Sequence, residues 1–211
     1  MTTYAWPFKK IFLPEQMNWG AESRTLSSES ILSGAVQTSG TPGKRWKVGI
    51  NLPASSYNVR TNRMEVEGFL DRLNGKEHRV SLWHMGRKGI GGYGYPAGNI
   101  NQTGVTVSAS ATQFATTLTL TGCGAGKTLL AGDMFSVNGQ LHMNPAMAVA
   151  DGSGVMVLPV ISRLRVAATA GQPVTLVRPT AVFVLDSNSW TSGFGLGANQ
   201  TLGIDFTEVF V

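Results

Sequence analysis

Two glycine-rich stretches and a few titratable side chains are the parts of this 211-residue chain whose types and spacing suit chemistry. Gly122-Cys-Gly-Ala-Gly-Lys-Thr128 sets a lysine and a hydroxyl behind three glycines, the residue types of a phosphate-binding loop. That loop needs a glycine where Thr121 stands, and it must open a helix to aim its backbone N–H groups at phosphate. Leu129-Leu-Ala-Gly-Asp-Met-Phe135 instead predicts a glycine turn running into a strand. A glycine turn carrying an exposed lysine is the expected structure. Gly89-Ile-Gly-Gly-Tyr-Gly94 matches the glycines of a dinucleotide fingerprint, but Tyr95-Pro96-Ala-Gly98 blocks the helix that must begin there. No acidic residue lies between Glu77 and Asp133 to hold a ribose, so this stretch is expected to be a turn-rich linker.

The remaining reactive side chains form no constellation. His78, His84 and His142 stand at no metal-ligand spacing, and Cys123 has no second cysteine for a disulfide or a zinc site. No nucleophile elbow surrounds Cys123 or any serine. Asp133 and Asp151 adjoin glycine turns, where carboxylates bond to the local backbone, while Asp205 and Glu208 sit on a terminal strand. No catalytic, metal or cofactor residue is predicted, and the chain reads as a protein that is not an enzyme. What is left is surface. Lys44, Arg45 and Lys47 concentrate charge beside a strand, where it can steer and register an interface. Trp83, Tyr93, Tyr95 and Trp190 carry flat amphipathic rings of the kind that stack on sugars, which supports an alternative reading as a carbohydrate-binding module contacting a cell surface.

The elements that must position these residues are mostly strands. Trp46–Pro53 alternates Trp46, Val48 and Ile50 on one face. From Thr61 the period changes, with Val66, Phe69, Leu70 and Leu73 at i, i+3, i+4 and i+7, which predicts an amphipathic helix from about Asn62 to Asn74. Asn62-x-x-Glu65 reads as its capping box and Asn74-Gly75 as its left-handed stop. Arg79–Trp83 resumes strand character. Beyond Ile100 the strands are short: Val105–Ser110, Thr116–Thr121, Met134–Val137, Val155–Ile161, Pro173–Val177 and Ala181–Leu185. Asn138-Gly139 between two apolar runs predicts a type I′ hairpin, whose central residues both need positive φ.

Charge density divides the chain into two folding units. Residues 1–85 carry 11 Lys+Arg and 7 Asp+Glu, whereas residues 86–211 carry 6 and 5. The expected organisation is a core domain begun by residues 1–85, an inserted β-barrel-like domain over 86–187, and C-terminal strands over 188–211 that complete the core. The chain has a net charge of +5, but its cations are scattered, so specific nucleic-acid binding is not expected. No apolar run is long enough for a membrane helix and the first residues lack a signal-peptide pattern, so the protein is expected to be made in the cytoplasm without membrane insertion.

The order of landmarks carries more information than any one motif. Pro42-Gly43-Lys-Arg-Trp46 leading into Trp46–Pro53 gives a PGxRWxxxxxLP pattern. The capped helix ending Gly68-Phe-Leu-Asp-Arg-Leu-Asn-Gly75 follows, then a strand with Trp83, and finally Gly203-Ile-Asp-Phe-Thr-Glu-Val209. Over about residues 17–85 and 188–211 this order resembles the distal tail proteins of long-tailed bacteriophages. The resemblance implies a mainly β fold, a β-sandwich or split-barrel core with one α-helix plus an inserted small β-barrel domain. It also implies a homo-oligomeric ring, hexameric in that family, which joins the tail tube to the tail-tip hub proteins and resides in the virion. The low-charge insert matches no motif of that family.

Overall fold

The computed structural model describes residues 1–23, 25–40, 44–53, 60–190 and 202–210. Pro42 and Gly43 of the PGxRW pattern lie outside the described residues. Strands β1 (Thr3–Ala5), β2 (Gln16–Glu22), β3 (Thr25–Glu29), β4 (Val36–Gly40) and β5 (Arg45–Leu52) precede helix α1 (Arg60–Leu73), which leads into β6 (Arg79–Leu82). Short strands follow: β7 (Lys88–Gly89), β8 (Gly92–Tyr93), β9 (Thr106–Val107), β10 (Thr117–Thr121), β11 (Thr128–Leu129), β12 (Met134–Val137), β13 (Gln140–Met143), β14 (Ala148–Val149) and β15 (Met156–Pro159). The last two are β16 (Ala181–Leu185) and β17 (Leu202–Glu208). The fold is mainly β, with α1 its one α-helix among the described residues.

A six-stranded sheet in the order β1-β6-β16-β17-β5-β2 organises the first unit, antiparallel throughout except for the parallel β1–β6 pair. Its strands alternate as a one-sided sheet must. Trp46, Val48, Ile50 and Leu52 of β5 and Leu202, Ile204, Phe206 and Glu208 of β17 are buried, while Lys47, Gly203 and Asp205 between them are exposed. The buried face is covered by Val66, Phe69, Leu70 and Leu73 of α1, by Trp6 and Phe12, and by Met134 and Leu141 from β12 and β13. Trp6 stands at the centre of an aromatic knot, its ring edge-on to Phe12 (5.5 Å), Phe69 (5.5 Å) and Phe206 (5.9 Å), with Nε1 donating to the Phe12 carbonyl at 3.0 Å. The layer opposite this sheet is thus helix, aromatic segment and the β12–β13 hairpin.

Helix α1 begins at Arg60, upstream of the predicted start, so Asn62 lies in its first turn and not at its cap. Its end is as the sequence predicts: Asn74 and Gly75 both take positive φ, 46° and 62°, and the His78 amide donates to the Leu73 carbonyl at 3.0 Å.

A second core gathers around Leu118, Leu120, Cys123, Leu129, Phe135, Met156, Leu158, Leu164 and Leu176. The strands about it form a three-stranded sheet, β15-β10-β9, and the ribbons β11-β14 and β12-β13, joined by isolated bridges Thr106–Pro173, Ala111–Ala168 and Ser136–Thr175. Hydrogen bonding here is a set of short ribbons, and Pro173–Val177, predicted as a strand, contributes bridges only. The β12–β13 turn has the expected form, with Asn138 at φ 54° and Gly139 at φ 68°. One boundary differs from expectation. Ala181–Leu185, placed by composition in the 86–187 insert, is β16, an interior strand of the core sheet between β6 and β17.

Candidate assembly surfaces

The two motifs that suit nucleotide chemistry are built as turns. Gly89 and Gly92 flank the β7–β8 turn, and a Cβ on Gly89 would stand 2.1 Å from the Pro96 carbonyl oxygen, so the glycine admits a close backbone approach. Lys127 donates to Asn101 Oδ1 at 2.7 Å, and Thr128 enters β11 directly. Cys123 is buried, and burial pushes its thiol up to about 11, away from the thiolate that a nucleophile requires. The histidines are likewise spent on packing. His84 stacks on Trp19 at 5.0 Å and burial lowers it to about 4; His142 stacks on Phe135 at 5.4 Å with Nδ1 2.8 Å from Ser162 Oγ. His78 meets Tyr4 edge-on at 5.8 Å.

Arg165 and Glu208 tie the second unit to the core sheet, whereas Asp133 braces the second unit internally. Asp133, beside a glycine turn as expected, accepts from the backbone amides of Ala97 (2.7 Å), Gly98 (2.9 Å) and Leu130 (2.8 Å). Arg87 reaches across to the Gly132 carbonyl. Glu208, 1% exposed, accepts from Arg165 Nη2 at 2.6 Å and from the Trp46 amide at 3.0 Å. Burial raises its pKa, with Arg165 acting in the opposite direction. Trp46 Nε1 donates to the Leu141 carbonyl at 2.9 Å, and the Arg165 guanidinium lies 4.0 Å from the Phe210 ring centre.

The basic group beside β5 is largely engaged within the chain. Lys44 lies over the Trp46 ring (5.3 Å), Arg45 over the Phe210 ring (4.6 Å), and Lys47 pairs with Glu22 at 3.1 Å on the open sheet face. Of the rings proposed to stack on sugars, Trp83 is 8% exposed, covered by Phe8 at 5.7 Å and Arg178 at 5.3 Å, and offers no free stacking face. Tyr95 is half-buried against Gly91, and Trp190 is half-buried against the first core. Tyr93 alone of the four is exposed.

Two features that periodicity did not disclose stand out on the surface. The first is the β3–β4 hairpin, in which every described residue from Thr25 to Gly40 is exposed. Its turn is ordered: the Gly34 amide donates to the Ser30 carbonyl at 2.8 Å, the Ser30 amide to the Ala35 carbonyl at 2.9 Å, and Gly34 takes φ 64°. Ile31 and Leu32 project from that turn fully exposed, with Leu26 and Val36 exposed along the arm. The second is a groove of about 400 Å³ lined by Phe8, Leu13, Met17, Trp83, Met85 and Tyr93. The hairpin's signal in the sequence was the Ile31-Leu32 pair isolated among serines and glycine. Both edges of the central sheet, β1 and β2, lack a further strand among the described residues. No helix of the described residues is long and apolar enough to cross a membrane.

The chain matches no protein-family model and no curated protein.

Proposed function

We propose that this chain is a structural component of a bacteriophage virion that acts by assembly, forming a ring at the distal end of the tail that links the tail tube to the tail-tip hub. The observation that carries the reading is the β3–β4 arm, ordered at its turn yet exposed along its whole length. A hairpin that buries nothing within its own chain does not repay the entropy of ordering it, and a soluble monomer gains nothing by presenting Ile31 and Leu32 to water. Open sheet edges add the same argument, because an unpaired edge is a template for another chain. A ring of identical subunits answers both through one repeated head-to-tail contact that closes on itself. The motif order from Lys44 through α1 to β17 supports the tail position and a ring of six, assembled from protein made in the host cytoplasm and working without catalytic turnover.

Negative-stain imaging and mass photometry of the purified protein, with labelling of purified tails, test this reading. Rings of uniform size, or antibody label confined to the distal tail, are the expected results. A protein that remains monomeric at high concentration and is absent from tails would reject it.

A further inference from the structure

We propose that the apolar groove of one subunit is the seat for the β3–β4 turn of the next, with Ile31 and Leu32 as the inserted side chains. This inference rests on the ring reading and supplies its contact. The groove is apolar where it is deep, at Trp83 and Met85, and is rimmed by Phe8, Leu13 and Tyr93, which are 54%, 39% and 56% exposed. An apolar cavity of about 150 Å³ holds a benzene ring. A groove of about 400 Å³ therefore has room for two branched aliphatic side chains.

Charge and position both favour a second copy as the occupant. Glu29 is the one charged residue between Thr25 and Gly40, and it is exposed at the end of β3 beside the turn. The groove is bordered by two exposed cations: Arg178, 4.9 Å from the Phe8 ring centre, and Lys88, 6.0 Å from that of Tyr93. Glu15 also lines the groove, and the cations outnumber it. An acidic arm thus meets a rim of net positive charge, an arrangement that sets register and excludes wrong partners. Leu13, Glu15 and Met17 bring the groove to the Gln16 end of β2, whereas the hairpin leaves from the Glu22 end, seven strand residues or about 20 Å away. Since residues 25–40 are exposed throughout, the arm is not folded back onto its own groove. Donor and acceptor at opposite ends of one strand give the head-to-tail contact from which closed rings are built.

Cysteine pairing in the intact protein tests the contact. Leu32→Cys and Leu13→Cys are both at exposed positions, and the native Cys123 is buried and protonated at neutral pH, so it does not compete. Under mild oxidation the double variant should give a ladder of covalent oligomers reaching the full ring, while each single variant stops at a dimer or below. Ile31→Asp with Leu32→Asp should abolish rings and leave a monomer that still unfolds in one cooperative transition, since both side chains are fully exposed within the subunit. Rings from that aspartate variant, or a double-cysteine protein that forms rings without the ladder, would overturn this contact and leave the ring reading standing. A double-cysteine product ending at dimers would also overturn it, by showing a symmetric contact. Wild-type protein that forms no assembly alone or in tails would overturn the ring reading, and this contact with it.

Discussion

His142 shows how a residue that suits chemistry by type is committed to structure by its surroundings. It is 1% exposed, stacked on Phe135 and hydrogen-bonded to Ser162, and burial together with the Arg165 charge lowers its pKa to about 3. In the unfolded chain the imidazole takes up a proton near its ordinary value of about 6.5, so between the two values the unfolded state binds more protons. This group's contribution to stability is therefore complete only above about pH 6.5 and is lost as pH falls toward about 3, by up to about 1.4 kcal/mol per pH unit, while Glu208, whose pKa burial raises, acts in the opposite direction. Thermal melts should show a lower midpoint at pH 5 than at pH 7, and His142→Leu should reduce that difference. His84, lowered to about 4 by burial, acts with the same sign and will keep some of the slope in the variant. An unchanged pH dependence in His142→Leu would place the sensitivity elsewhere.

Among the elements, helix α1 and the β3–β4 hairpin mark the two extremes of legibility. The helix face Val66, Phe69, Leu70 and Leu73 was readable because those side chains meet one sheet and so repeat with the helical period. Phe69 touches Trp6 and Phe12, and Phe69→Ala should cost roughly 3–5 kcal/mol in chemical denaturation. Asp71→Ala, on the exposed side, should change stability by no more than about 0.5 kcal/mol. A denaturation midpoint that barely moves for Phe69→Ala would remove the helix from the core. The hairpin wrote no such period, because both of its faces meet water and its pairing is carried by the backbone.

For the whole molecule, the backbone crossing between the two cores defines where the second unit can be removed. The Arg178 amide donates to the Gly94 carbonyl at 2.6 Å, so the outgoing and returning chains run side by side there. Replacing residues 95–177 by a short glycine link should leave a protein that retains a cooperative β-type unfolding transition. Its midpoint should fall, because Met134, Leu141 and the Arg165–Glu208 pair are lost from the junction. Removing residues 86–187 instead takes away β16 from between β6 and β17 and should leave a chain with no cooperative transition. Circular dichroism during a thermal melt of both deletions checks the pair of outcomes, and equal behaviour would contradict the sheet order.

Local pattern in the sequence was enough to determine that the chain is mainly β with one helix, where that helix ends, the Asn138-Gly139 hairpin, and the turn character of both glycine motifs. Each of these depends on neighbours a few residues away, whose spacing and φ requirements are written into the chain. The tertiary structure alone decided that Ala181–Leu185 belongs to the core sheet. An interior strand and a low-charge insert both select apolar residues, so composition cannot tell them apart, whereas pairing with β6 and β17 can. It likewise decided that Trp83 forms a groove floor, that Lys44 and Arg45 rest on aromatic rings, and that Glu208 meets Arg165. Those contacts join segments far apart in sequence, where burial and charge are settled by what the fold brings together and not by the spacing of residues along the chain.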